Sequence, residues 1–231
     1  MPDVIPASAE ATMYQGDIER VDDIILKTVA AYGGIFAFVR CHRLGLTPEP
    51  PSWDLPFYEN IFKMSRLVDK ASNQVDPVKI SCFRRFGNLN AEHGMALLVF
   101  STLVTASSLT DPISCLISAV AAAHGPLHFG ATESAQRSLR QIGEPKNVPA
   151  FIEEIKTGKR KLFGYGHRTY KGMDPRVRPI QSILKDLDHV DQPLLKVAQA
   201  IEKEAEKDEY FLSRGLYPNA DFYGNFVFTG M

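Results

Sequence analysis

The sequence predicts an all-α fold, on three observations. Apolar residues recur at helical spacing in most segments, N-cap and glycine-stop signals bracket those segments, and alternating runs are nearly absent. The nearest approach to a strand is 222–228. Asp17 is a fit N-cap for a first helix whose face carries Ile18, Val21, Ile25, Val29 and Tyr32, and Gly33-Gly34 offers a stop. The helical pattern resumes at Ile35 and reaches Gly45. Segment 46–56 holds Pro48, Pro50, Pro51 and Pro56 and reads as a loop, with short helices expected over 57–68 and 77–86. The longest apolar stretch, 95–123, is broken by Asp111-Pro112 into pieces of 16 and 11 residues. A membrane span needs ~20 continuous apolar residues, so two buried helices are expected instead, with Pro112 at a first helical position. Helices apolar all round belong in a large core or a broad subunit interface. Further on, 132–142 sets Ala135, Leu139 and Ile142 on one stripe before Gly143, and 147–157 carries Phe151, Ile152 and Ile155 before Gly158. Asp174-Pro175 opens a helix towards Leu187 that Pro179 should bend or delay. The last clear helix is 191–208, with Leu194, Leu195, Val197, Ala198, Ile201 and Ala205.

Composition excludes several function classes. Lys+Arg number 26 against Asp+Glu 27, which leaves no global positive field to hold nucleic acid or an anionic membrane. The cysteines, Cys41, Cys82 and Cys115, are odd in number and widely spaced, so neither a disulfide framework nor a cysteine zinc site is indicated. Buried thiols in a reducing compartment are expected. Segment 1–19 has acidic residues before its first basic one, Arg20, and no apolar run, against both a secretory signal and an Arg-rich transit peptide. The expected compartment is the cytoplasm, with a mitochondrion or peroxisome open if either terminus is incomplete.

Chemistry concentrates at three places. His128 lies at the Gly/Pro break after the apolar run, His167 in the loop Gly164-Tyr165-Gly166-His167-Arg168, and Asp221 after the turn Tyr217-Pro218-Asn219. Imidazoles and a carboxylate on loops held by helices suit general acid–base work. His124 and His128 stand four apart, but Gly125 and Pro126 break the helix that zinc spacing needs, and no metal is expected. Gly164-x-Gly166 lacks both a completed GxGxxG and a preceding strand. Lys159, Arg160, Lys161, Arg168, Lys171, Arg176 and Arg178 crowd that loop, either as a solvated face or as a hold for a polyanion such as the phosphates of CoA.

Three blocks, in order, resemble the citrate synthase family. They are Gly125-Pro126-Leu127-His128-Phe129-Gly130-Ala131, then Gly164-Tyr165-Gly166-His167-Arg168-Thr169-Tyr170-Lys171-Gly172-Met173-Asp174-Pro175-Arg176, then Leu216-Tyr217-Pro218-Asn219-Ala220-Asp221-Phe222-Tyr223-Gly224. A weaker block, Ala91-Glu92-His93-Gly94-Met95, follows the same family. The resemblance implies a helical fold of a large domain (1–124, partial), a smaller domain with a CoA-binding loop (125–220) and a return to the large domain (221–231). It implies condensation of an acyl-CoA, acetyl-CoA first, with oxaloacetate to give citrate or an alkylcitrate plus CoA. By match, Asp221 is the base, His128 donates to the thioester oxygen and His167 to the ketone of oxaloacetate. His93 and Arg176 would hold oxaloacetate carboxylates beside these histidines. Leu162, Gly164, Tyr165, Gly166, Lys171, Arg214 and Asn219 would meet CoA. No cofactor is implied, since the CoA thioester is a substrate, and the partner implied is a second copy in a homodimer.

The sequence also departs from the family. Phe129 stands where glycine is usual and Thr132 where asparagine is usual, and Gly94, Ala96 and Leu97 depart from the weaker block. Bulk at Phe129 points to a reshaped acyl pocket and a methylcitrate or alkylcitrate product. The chain ends ten residues past Asp221, before the family's further carboxylate-holding arginines, and begins after its first helices. The fold is therefore expected to be incomplete at both termini, and the competing reading is a truncated homologue, catalytically weak or inactive, acting only as an interaction partner.

Overall fold

The computed structural model describes residues 17–125 and 127–231. The acidic opening stretch up to residue 16, and Pro126 of the first motif, lie outside the described residues. Every regular element described is helical, as predicted, and the only β pairing among the described residues is an isolated antiparallel bridge between Tyr165 and Pro218. The chain divides into two compact units, one of residues up to Ile80 with His93–Ala122, the other of Ser81–Glu92 with Ala123–Met231.

In the first unit, α1 (Ile18–Leu44) runs unbroken through Gly33-Gly34, against the expected stop. Asp17 caps it by accepting from the Arg20 N–H at 3.0 Å, and Gly45, at φ 65°, ends it. Gly33 serves packing instead of termination: a Cβ there would stand 3.0 Å from Cδ1 and Cγ1 of Ile61, on α2 (Phe57–Met64). Arg40 donates to the Ser65 carbonyl at 2.5 Å, joining the same two helices. Gly34 meets only the end of Met64, at 4.0 Å. Gly34→Ala should therefore stabilise by about 0.5–1 kcal/mol through helix propensity. Gly33→Ala gains the same propensity but crowds Ile61, and should fall below it by roughly 1–3 kcal/mol in urea unfolding.

The α2 helix stops four residues short of its expected end, because Arg66 turns to φ 58°. Next comes α3 (Pro77–Leu89), and the apolar stretch then forms α4 (Leu97–Ala106) and α5 (Pro112–Ala123). They meet at the predicted junction, where Asp111 accepts from the N–H groups of Ile113 and Ser114. Hydroxyls hold the pair together: Ser101 and Ser118 lie 2.6 Å apart, and Thr105 donates to Ser118 at 2.8 Å. The expectation that both helices are buried does not hold in this chain. No residue of α4 is buried, and Phe100, Leu103, Val104, Ile117 and Val120 are each 52–64% exposed. The two helices join through their small hydroxyl-bearing face, which leaves their larger apolar residues facing outward.

The second unit holds α3 from Ser81 onward, α6 (Gly130–Ile142), a 3₁₀ turn at Pro145–Asn147, α7 (Val148–Lys156), α8 (Val177–Asp186), α9 (Pro193–Ala205), α10 (Glu209–Leu212) and α11 (Ala220–Thr229). Its core gathers Leu139, Phe151, Ile180, Ile201, Phe222 and Phe226, with α11 packed on α6 and α8. Pro179 delays α8 without bending it. As the third residue of the helix it occupies the first turn, where the N–H it lacks would have had no helical acceptor. The run 222–228, the nearest thing to a strand in the sequence, is helical. Its buried residues Phe222, Tyr223, Phe226 and Val227 follow the period of a helix face, and the Asn219 side chain caps it by accepting from the Asp221 N–H. All three cysteines are free and buried.

Candidate active site

The glycine loop and the Tyr217-Pro218-Asn219 turn, about fifty residues apart in sequence, are clamped together. Gly166 donates to the Tyr217 carbonyl at 2.8 Å, and Asn219 donates from its backbone to Gly164 at 2.9 Å and from its side chain to Gly166 at 2.8 Å. Gly164 has φ 81°, and a Cβ there would lie 2.8 Å from Cβ of Phe222 and 2.9 Å from its Cα. Only glycine permits both the backbone turn and this approach. Tyr165 closes the contact by packing edge-on against Phe211 and Phe222.

Asp174, seen in the sequence only as a helix cap, does more. Its buried carboxylate accepts from Nε and Nη2 of Arg176 at 3.0 and 2.7 Å, and from the N–H of Ala220 at 3.0 Å. Burial pushes this carboxyl up, but the Arg176 guanidinium and the two backbone N–H groups outweigh it and hold it below the usual carboxylate range. Arg176 thus has its Nε–Nη2 edge taken by Asp174 and its Nη1–Nη2 edge clear of that bond, while Asp174 fixes the first turn of α11, where Asp221 follows.

Asp221 is half-buried. Burial raises its carboxyl above the usual range, against the opposing effects of a Thr132 hydrogen bond at 3.1 Å and the positive fields of Arg176, His128 and His167. His128 sits in the turn between α5 and α6, closed by its N–H to the Gly125 carbonyl at 3.0 Å. Its ring stacks on Phe129, with centroids 4.9 Å apart, and its Nε2 is buried with no hydrogen-bond partner. A buried, unsatisfied polar atom is uncommon and calls for a reason. His167 lies on Tyr170, and its Nδ1 accepts from the N–H groups of Thr169 and Tyr170 at 3.1 and 3.3 Å. With Nδ1 accepting, Nε2 is the ring nitrogen left to donate.

The structure thus brings His128, His167, Arg176 and Asp221 into one electrostatic group within the second unit. His93 belongs to the first unit, in the segment between α3 and α4. Of the residues expected to meet CoA, Leu162 is buried, Lys171 is exposed, and Arg214 lies 4.0 Å over the Tyr210 ring while donating to the Tyr210 carbonyl. The Asn219 side chain is engaged inside the protein, on Gly166 and Asp221. Sequence reasoning did not give Thr132 or Asp174 a place in this group. Each acts across 46 or more residues, and the only local sign of Asp174 was Arg176 two residues on.

An all-helical unit in which two histidines, an arginine and a partly desolvated carboxylate act on one another has the constitution of a proton-transfer centre. Residues 5–231 match the citrate synthase C-terminal domain family, and the chain belongs to the citrate synthase family, as its three motifs implied. It is 44% identical to the alkylcitrate synthase phiJ of a fungal species, over 98% of this chain and 50% of that protein. The citrate synthase of Pyrobaculum aerophilum is 31% identical with a TM-score of 0.81, covering 96% of this chain and 55% of that one. The citrate synthase of Thermoplasma acidophilum, solved as a ternary complex with carboxymethyl coenzyme A and oxaloacetate, is 26% identical with a TM-score of 0.82, over 96% of this chain and 58% of that one. The chain spans about half the length of the curated relatives it matches.

Proposed function

We propose that this protein condenses an acyl-CoA with oxaloacetate, releasing citrate or an alkylcitrate and free CoA. The observation that carries the reading is the half-buried Asp221 carboxyl, raised by burial and under the influence of His128, His167 and Arg176. Asp221 takes a proton from the carbon next to the thioester. The C–H electron pair becomes the carbon–carbon double bond of an enolate, whose oxygen receives a hydrogen bond from His128. The unpartnered Nε2 marks that imidazole as one whose bonding is incomplete without a ligand. The enolate carbon then attacks the ketone of oxaloacetate, whose oxygen is held by a hydrogen bond from His167 Nε2 as charge develops and takes up a proton from water as the product forms. Each donor is aimed before reaction at an oxygen that gains charge, which is where preorganised dipoles lower a barrier. Water finally cleaves the thioester and frees CoA. The reaction so written needs no metal or cofactor.

The Nη1–Nη2 edge of Arg176, left free by Asp174, suits an oxaloacetate carboxylate. The backbone of Leu162, Gly164, Tyr165 and Gly166 would lie along CoA, with Lys171 and Arg214 for its phosphates and Asn219 keeping the loop in shape. The alkylcitrate synthase name of the fungal relative, and the Phe129 ring 61% exposed beside His128, favour an acyl chain longer than acetyl. A second copy of the chain, meeting the apolar faces of α4 and α5, completes the reading as a homodimer. The test is oxaloacetate-dependent thiol release from acetyl-, propionyl- and hexanoyl-CoA. Turnover fastest with the longer chains is expected, and no turnover by folded protein with any of the three would overturn the reading.

A further inference from the structure

We propose that Thr132 is a positioning residue for the base: its hydroxyl fixes Oδ1 of Asp221 and so assigns Oδ2 to take the proton from the acyl-CoA. The inference rests on the condensation reading above. Thr132 lies in the first turn of α6, four residues after His128, and its N–H donates to the Phe129 carbonyl at 3.1 Å. Its side chain then crosses to α11 and donates to Oδ1 of Asp221 at 3.1 Å. One residue therefore joins the turn that carries His128 to the helix that carries the base.

The geometry matters because a carboxylate at a helix start can rotate. Asp221 is the second residue of α11, and its backbone N–H is already held by Asn219. Its side-chain orientation then depends on what the two oxygens meet. With Oδ1 held by the Thr132 hydroxyl, rotation of the carboxylate is restricted and Oδ2 is the oxygen left clear of that bond. An oriented base is worth far more than a base that is merely near, since misplacement by about 1 Å can cost 10²-fold.

The hydrogen bond also favours the ionised, proton-accepting form against burial. The other groups acting on Asp221 are Arg176 from the turn before α8, His128 from the turn before α6, and His167 from the glycine loop. Of the buried carboxylates, Asp174 is bound to Arg176 and the Ala220 N–H, and Glu202 of α9 to Tyr223 and Gln181. Thr132 is thus the uncharged group in this set that lowers the carboxyl, and losing it moves the base toward higher pH.

The test compares Thr132→Val, which keeps the shape and removes the donor, with Thr132→Ser, which keeps the donor. Thr132→Val should lower kcat about tenfold, the equivalent of one hydrogen bond to a charged group, with little change in KM for oxaloacetate. Its acid limb of the kcat–pH profile should move to higher pH, while Thr132→Ser restores both rate and limb. A carbon-13 titration of the aspartate carboxyls, with Asp221 assigned through Asp221→Asn, gives a readout independent of turnover. There the Asp221 midpoint should rise in Thr132→Val and return in Thr132→Ser. An unmoved midpoint and an unmoved acid limb in Thr132→Val would overturn the proposal. Loss of turnover in the unaltered protein, with the midpoint still shifting in Thr132→Val, would remove the condensation reading and leave the link between Thr132 and Asp221 standing.

Discussion

Asp221→Asn should cost about 10²–10⁴ in turnover while raising the melting temperature near neutral pH. Under the proposed condensation, the rate loss follows from removing the carboxylate that accepts the proton. The gain in stability follows from the direction in which burial moves the carboxyl. Burial raises it most, and the Thr132 bond with the fields of Arg176, His128 and His167 only partly compensates, so the folded pKa lies above the unfolded value. Such a group stabilises the fold fully only below its unfolded pKa, and that contribution is lost as pH rises through the folded pKa. At neutral pH the protein therefore holds an ionised carboxylate that its surroundings disfavour. Asparagine is neutral, matches the shape and still accepts from Thr132. Thermal melts of the two proteins should separate at pH 7 and converge in acid. A variant less stable than the parent at neutral pH, with turnover intact, would contradict both halves. Catalytic sites that lower stability in this way are a common trade.

Gly164→Ala is the second large effect. A left-handed backbone costs an L-residue roughly 1–2 kcal/mol by itself. The new methyl would also stand 2.8 and 2.9 Å from Cβ and Cα of Phe222, and the Cα belongs to the rigid start of α11. Nothing flexible is there to yield, so the combined loss should be about 3 kcal/mol or more in urea unfolding. Gly172→Ala is the control, since a methyl there meets nothing within 4 Å, and it should stay within about 0.5 kcal/mol of the parent. Equal stability of the two variants would show that the loop does not depend on its contact with α11. Turnover of Gly164→Ala should fall further than its stability alone explains, because the loop that moves carries His167.

Much of this was legible in the chain, and the reason differs by element. Caps and stops act over three or four residues, so Asp17, Asp111-Pro112, Gly45 and Gly143 mark helix ends that the structure keeps. Gly33-Gly34 looks like the same kind of signal, yet its meaning depends on Ile61, which local pattern does not contain. The aromatic run after Asp221 has strand-forming residue types, and only the neighbours on α6 and α8 decide that it is a helix. At the candidate site, His128, His167, Arg176 and Asp221 were visible as motif residues. Asp174 stood in the same motif and Thr132 was seen as a departure from the family, but the role of each was hidden, because the hydrogen bonds that place them run to Ala220 and Asp221, across 46 and 89 residues.

The clamp at Asn219 has a consequence for how the acyl pocket can vary. With its backbone on Gly164 and its amide on Gly166 and Asp221, this residue makes a ruler of fixed length between the His167 loop and the helix of the base. Any substrate the protein accepts must be measured against that same span. The His128 turn is joined to that helix by a single side chain, through the Thr132 hydroxyl on Asp221, while its ring leans on Phe129. Under the proposed condensation, a change of acyl preference made at Phe129 leaves the Asn219 bonds between the His167 loop and the Asp221 helix in place.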